Sequence, residues 1–276
     1  MSRQLSGREL VSFIKERQAH QVRVLKQHDH IQPKLAIIQT KLDAVTDLYT
    51  KLKQHYGEDI GVAVEVHKVG QPVVASLIDR FNADLTVQGV LVQLPLADPS
   101  ATDEIVNRVS PMKDVDGLGE RSEWDATTAM AINWLLAGYN IDLTGKQIAI
   151  VGQGRLVGAP LAKIWRQSGL SVTPLDVRCP SLEKILIDKD VVVTATGVPG
   201  LIGSEMLKNG VVVVDAGTAD LDGQVVGDVD PLVRERSDIT ITPQKGGVGP
   251  LTIACLMDNV IRAATCSLKD LGAGVH

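Results

Sequence analysis

Cysteine is scarce and badly placed for cross-linking. Cys179, Cys255 and Cys266 are the only three, scattered and in no Cys-x-x-Cys pair. An odd, dispersed set argues against a disulfide framework and a thiolate zinc site, and fits a reducing compartment. Long apolar runs are also lacking. Those present, such as VVVV at 211–214, fall far short of the ~20 residues that span a bilayer. The opening MSRQLSGREL has no apolar signal-peptide core. Nor is there an excess of positive charge: 28 Lys and Arg stand against 33 Asp and Glu, a formal net charge of −5. That balance points away from nucleic acid and membrane surfaces as partners. The local His28-Asp29-His30 ends a charged, helical-looking stretch and reads as solvated surface, so no metal is expected. A cytoplasmic location is the resulting expectation. No internal repeat or low-complexity tract is visible.

What is present is a chain of 276 residues, 44% hydrophobic and 22% charged, enough to bury two ordinary cores. Ser6 followed by Glu9 reads as a capping box opening a polar helix to about residue 28. LAIIQ (35–39), VAVEV (62–66) and VQGVLVQLPL (87–96) read as strands. Between them, 43–59 carries a stripe of Val45, Leu48, Leu52 and Tyr56, and 73–81 is helical in pattern. After a helix-like 126–139, a second alternating set follows. Its strands are expected at 147–152, 170–175, 191–197, 211–217 and 239–243, with a helix at 156–169 and a long closing helix from about Pro250. Alternating β and α implies an α/β chain of mostly parallel sheets covered on both faces.

In the second set, IAIVGQGRLVGAP (148–160) places Gly152, Gly154 and Gly158 between a strand and a helix. Glycines there let the backbone turn tightly and approach a pyrophosphate seated on the helix N-terminus. The alternative is an ordinary glycine-bearing βα turn. The flanking strand and helix favour the dinucleotide reading. The next strand ends at Asp176, which can accept hydrogen bonds from a ribose 2′-hydroxyl and repel a 2′-phosphate, favouring NAD over NADP. Arg155 and Arg178 lie close enough in sequence to offset that repulsion, and a solvated strand end is the competing reading of Asp176.

In the first set, polar groups interrupt buried patterns at three places. Tyr49 and Lys53 stand one helical turn apart, beside the Leu48/Leu52 stripe. A lysine at such an edge is partly desolvated and suits proton transfer, although spacing alone favours a snorkelling side chain. Gln93, inside GVLVQLPL, needs hydrogen-bond partners and stands at a strand's carboxyl end. In PMKDVDGL (111–118) two acids stand two apart, and one of them, with Gly117 beside it, can face a pocket and meet paired N–H donors. The competing readings are a core glutamine and an acidic turn. Short-chain dehydrogenases also use Tyr-x-x-x-Lys, but their glycine loop precedes the pair, and here the order is reversed.

Together Tyr49-x-x-x-Lys53, GVLVQLPL (89–96), KDVDG (113–117), VGAP (157–160), VVGDV (225–229) and GGVGPLT (246–252) resemble the bifunctional methylenetetrahydrofolate dehydrogenase/methenyltetrahydrofolate cyclohydrolase family, through most of the chain. The resemblance implies two α/β domains: an N-terminal folate-catalytic domain, 1–124 plus 253–276, and a Rossmann-like domain, 125–252, with the folate cleft between them. It implies oxidation of 5,10-methylenetetrahydrofolate with NAD or NADP, then water addition to give 10-formyltetrahydrofolate, in a homodimer. By position, Lys53 is the catalytic lysine. Tyr49 orients the folate, Gln93 tunes Lys53, and Asp116 holds the pterin. Gly246, Gly247, Gly249 and Pro250 let a loop pass close to substrate. Gly152, Gln153, Gly154, Arg155, Asp176 and Thr218 are the cofactor positions.

The sequence departs from the family at Gly152-Gln153-Gly154, where Gly-Arg-Ser is usual, and at Asp176-Val177, where His-Ser is frequent. Both changes remove phosphate-holding groups and agree with NAD. Of the family's Pro-Cys-Thr-Pro only Thr127 is kept, in Asp125-Ala126-Thr127-Thr128. A cyclohydrolase without dehydrogenase activity, a non-catalytic folate or nucleotide sensor, and a two-domain dehydrogenase of the shikimate kind are the alternatives.

Overall fold

The computed structural model describes residues 3–221 and 224–273. The chain runs β1 (Arg3–Gln4), α1 (Gly7–His28), β2 (Lys34–Gln39), α2 (Ala44–Ile60), β3 (Ala63–Lys68), α3 (Val74–Ala83), β4 (Gly89–Gln93) and α4 (Thr102–Arg108). It continues through α5 (Thr127–Gly138), β5 (Ile148–Val151), α6 (Gly158–Gln167), β6 (Val172–Leu175), α7 (Leu182–Leu186), β7 (Val191–Thr194) and β8 (Val212–Asp215). A hairpin of β9 (Ala219–Leu221) and β10 (Gln224–Val226), then β11 (Thr240–Ile241) and α8 (Val248–Ala273), complete it. Among the described residues, no helix is long and apolar enough to cross a membrane.

Two compact units result, Ser12–Thr127 with Ile253–His276, and Met1–Val11 with Thr128–Thr252. The closing helix belongs to the first unit from Ile253 onward, and buried Gln18 of α1 holds it, donating to the Ala254 carbonyl at 2.8 Å. The opening residues differ from expectation. Assigned above to the first domain, the segment up to Val11 belongs with the second, because Arg3 and Gln4 pair in parallel with Thr240 and Ile241. The junction falls at 127–128 rather than 124–125.

The first unit holds a parallel sheet in the order β3-β2-β4. Buried on both faces, β2 and β4 need apolar residues at successive positions, hence LAII and GVLV. Ala36, Ile38, Val90 and Val92 pack with Ile78 and Phe81 of α3 and Ile105 of α4. The helix α2 is rolled relative to its expected stripe. Leu48 and Leu52 are exposed, and Thr46, Thr50, Tyr56, Gly57 and Ile60 face inward. Gly57 sets this roll: a Cβ there would stand 2.4 Å from Val64 Cγ2 of β3, so the helix lies against the sheet at that point.

The second unit is a six-stranded sheet, β1-β11-β8-β7-β5-β6, parallel throughout. From β5 the chain steps outward to β6, then back across β5 to β7 and on to β8. The strand order therefore reverses beside β5, and ligands of open α/β sheets bind at the carboxyl ends of strands at such a reversal. The capping box at α1 is built differently from expectation. Glu9 N–H reaches Ser6 Oγ at 3.4 Å, but Ser6 N–H donates to the Tyr139 hydroxyl at 2.9 Å, which stands between Ser6 and Glu9. The short helices α4 and α7 and the β9–β10 hairpin were not anticipated, being too short to carry a period.

Candidate functional site

In the first unit, the carboxyl ends of β2 and β4 meet the inward face of α2. Lys53 stands in the row Thr46, Thr50, Lys53, Gly57, Ile60 and so points with the buried face rather than along its edge. Its ammonium donates to Gln93 Oε1 at 2.7 Å. The Gln93 amide in turn donates to the Leu94 carbonyl at 2.9 Å, which fixes which end of the side chain faces the lysine. Burial lowers the Lys53 pKa below the ordinary lysine range, and the nearby Asp116 carboxylate draws it part of the way back. Tyr49, one turn earlier, is half-buried. Lys53, Gln93 and Asp116 are thus brought together.

The two acids point different ways because 111–118 is a run of turns rather than a strand, in which residues two apart would share a face. Asp114 is buried and holds its own loop, accepting from Gly119 N–H at 2.7 Å and Leu118 N–H at 3.3 Å. Burial pushes its carboxyl up to about 6. Asp116 turns the other way, and the Thr127 hydroxyl donates to its Oδ1 at 2.5 Å. Gly117 (φ +71) makes the turn between them, where a Cβ would stand 2.6 Å from Ala126 N. Sequence reasoning passed over Thr127 as a site residue. Its signal was survival as the one residue kept from a family motif, and its buried contact supplies the reason.

In the second unit, Gly152 follows β5 and Gly158 opens α6. A Cβ at Gly152 would stand 2.4 Å from Ala195 O after β7, and one at Gly158 would stand 1.7 Å from Gly152 O. Gly152 also adopts φ +91. Strand, loop and helix are therefore packed as a dinucleotide loop requires, while at Gly154 a Cβ would meet nothing within 4 Å. Such a cradle fits a pyrophosphate. Gln153 is exposed and its amide donates back to Ile150 O at 3.0 Å and Gly152 O at 3.2 Å, and Arg155 lies exposed on the same loop. Asp176, just past β6, is exposed and paired with Arg178 through Nε at 3.0 Å and the backbone N–H at 2.9 Å. Those contacts hold its carboxyl below the usual range. Thr218 is exposed, with its carbonyl facing Gly197. Gly246 (φ +86) and Gly247 form the turn before α8, and Gly249 and Pro250 lie in its first helical turn; all four belong to this unit.

Residues 5–116 match the model of the tetrahydrofolate dehydrogenase/cyclohydrolase catalytic domain, and residues 126–268 match that of the family's NAD(P)-binding domain. The chain is 34% identical over 276 residues to the bifunctional protein FolD of Lactobacillus helveticus, covering 95% of this chain and 97% of that one. It is 36% identical over 271 residues to that of Lactobacillus delbrueckii subsp. bulgaricus, with 94% and 95% covered. Among solved structures, the bifunctional enzyme FolD of Campylobacter jejuni superposes with a TM-score of 0.90 at 33% identity, covering 96% of this chain and 99% of that one. The shikimate 5-dehydrogenase of Thermus thermophilus reaches only 0.51 at 18% identity, with 86% and 99% covered, a likeness of fold alone.

Proposed function

The chain belongs to the tetrahydrofolate dehydrogenase/cyclohydrolase family, and on that premise we propose that it oxidises 5,10-methylenetetrahydrofolate and adds water to the 5,10-methenyl product, giving 10-formyltetrahydrofolate. The observation that carries this reading is the 2.7 Å contact of Lys53 with Gln93 at the end of β4, beside Asp116. A lysine whose pKa is lowered by burial keeps a larger neutral fraction near neutral pH than a solvated one. As the amine, Lys53 takes a proton from water adding to the methenyl carbon; as the ammonium, it returns one to the leaving nitrogen as the C–N bond breaks, the adduct's hydroxyl proton passing to solvent to leave the formyl group. Gln93 Oε1 accepts from the ammonium and aims it. Asp116, steadied by Thr127, offers its carboxylate to the paired N–H donors of a pterin. Tyr49 lies against the folate. Gly246, Gly247, Gly249 and Pro250 leave room for substrate beside their loop.

A bound nicotinamide dinucleotide supplies the hydride acceptor. Gly152, Gly154 and the start of α6 hold its phosphates, with Gln153 and Arg155 on the same loop and Thr218 towards the nicotinamide. NAD is favoured over NADP: the Gln153 amide is engaged with the backbone carbonyls of Ile150 and Gly152, and the Asp176 carboxylate, kept ionised, suits ribose hydroxyls and repels a 2′-phosphate. A homodimer, as the resemblance implies, completes the proposed assembly.

The test is turnover of 5,10-methylenetetrahydrofolate with NAD and with NADP in parallel, followed by hydrolysis of 5,10-methenyltetrahydrofolate by wild type and Lys53→Met. Turnover faster with NAD, together with abolished hydrolysis in a folded Lys53→Met, is expected. Wild-type hydrolysis in that variant would remove Lys53 from the chemistry. Silence with both dinucleotides would leave a cyclohydrolase alone.

A further inference from the structure

A buried ion pair lies at the carboxyl edge of the six-stranded sheet, and neither proposed reaction uses it. Arg234 Nη2 meets Asp215 Oδ2 at 2.6 Å, with side chains only 13% and 3% exposed. Its Nη1 donates to the Thr242 carbonyl. Asp215 ends β8 and Thr242 follows β11, so one guanidinium spans the ends of two adjacent parallel strands. Those ends lead into different loops. Asp215 leads to 216–218, and Thr242 to the turn that reaches α8 through Gly246 and Gly247.

The surrounding residues are shaped for this pair. A Cβ at Gly227 would stand 2.1 Å from Asp215 Oδ2, so only glycine lets the carboxylate tuck in. Asp215 also accepts from Gly217 N–H and Asp228 N–H, both at 3.1 Å, and from Val229 N–H at 3.2 Å. The short 3-10 turn Pro231–Glu235 that carries Arg234 is fixed twice. Asp230 accepts from Leu232 N–H at 2.8 Å, and Val233 is fully buried in the sheet's core. With its neighbour locked inward, Arg234 has its direction set. A buried pair is a poor stabiliser compared with well-packed apolar residues. What it supplies is a fixed geometry between the groups it joins.

We propose that Arg234 is a positioning residue for the dehydrogenase step, holding loop 216–218 and the 243–247 turn in the register that receives the nicotinamide half of the dinucleotide. This rests on the reading of the sheet edge as the dinucleotide site.

The experiment measures NADH affinity by fluorescence titration, the KM for NAD, and methenyltetrahydrofolate hydrolysis in Arg234→Met and Arg234→Lys, with near-UV circular dichroism to establish folding. Arg234→Met is expected to raise the Kd for NADH and the KM for NAD by about tenfold or more, with a clearly smaller loss of hydrolysis, since Gly246 and Gly247 of the same turn border the proposed folate site. Arg234→Lys retains the charge facing Asp215 but not the fork that also reaches Thr242. It is expected to fold and to show an intermediate loss, which keeps the test decisive should the methionine variant not fold. Unchanged NADH affinity in either folded variant overturns the inference, and so does equal loss of both activities. Failure of the wild type to bind NADH or NADPH overturns the dinucleotide reading itself, a result distinct from a wild type that binds while the variants bind equally well.

Discussion

Gly158→Ala tests the nucleotide loop most directly, because the structure states the size of the disturbance. A methyl group at 158 would stand 1.7 Å from Gly152 O and 2.8 Å from Gly152 C, whereas real Cβ contacts do not fall below 3.0 Å. Neither neighbour gives way easily. Gly152 is at φ +91, and a Cβ on it would stand 2.4 Å from Ala195 O, so the loop is already held against the end of β7. Relief therefore requires the first turn of α6 to part from the loop by roughly 1 Å, a displacement that costs about a hundredfold where reacting groups must be positioned. The expected result is a fall of about a hundredfold in kcat/KM for the dinucleotide, equivalent to ~2.7 kcal/mol. Hydrolysis of 5,10-methenyltetrahydrofolate stays within about twofold, because Lys53, Gln93 and Asp116 belong to the other unit. Both activities are followed by absorbance on one preparation. Wild-type dinucleotide turnover in the folded variant would refute the reasoning. Parallel loss of both activities would also refute it, since the damage would then be to the fold.

Two further outcomes follow from the charged groups. Asp176→Ser removes the ionised partner of Arg178 and releases that guanidinium towards a 2′-phosphate. The ratio of kcat/KM for NADP to that for NAD is expected to rise about tenfold or more, and an unchanged ratio would remove Asp176 from cofactor choice. Asp114 has its folded-state pKa raised to about 6, so the folded protein holds this proton more tightly than the unfolded chain. Its contribution is greatest below about pH 4 and is lost as pH rises through about 6, a difference of about 3 kcal/mol. Urea unfolding at pH 4.5 and 7.5 is expected to show Asp114→Asn gaining stability relative to wild type at the higher pH. An identical pH dependence in the two proteins would refute the assignment.

Local pattern settled much of this protein in advance. Period, glycine spacing and apolar runs buried on two faces marked the parallel strands, the glycine loop and the closing helix, because each depends on residues near one another in sequence. The order of Tyr49, Lys53, Gln93 and Asp116 was legible through the family resemblance. Tertiary structure decided what distant residues do to one another. The roll of α2 is set by Gly57 against Val64, so Leu48 and Leu52 lie outward and Lys53 joins the inward row. Arg3 and Gln4 join the far sheet because β11 offers a free edge, a pairing across more than two hundred residues that no local period encodes. The division of labour between Asp114 and Asp116, the Thr127 contact and the Arg234–Asp215 pair likewise come from packing. A carboxylate's role depends on which backbone N–H, hydroxyl or guanidinium the fold brings to it, and the side chain alone does not specify that partner.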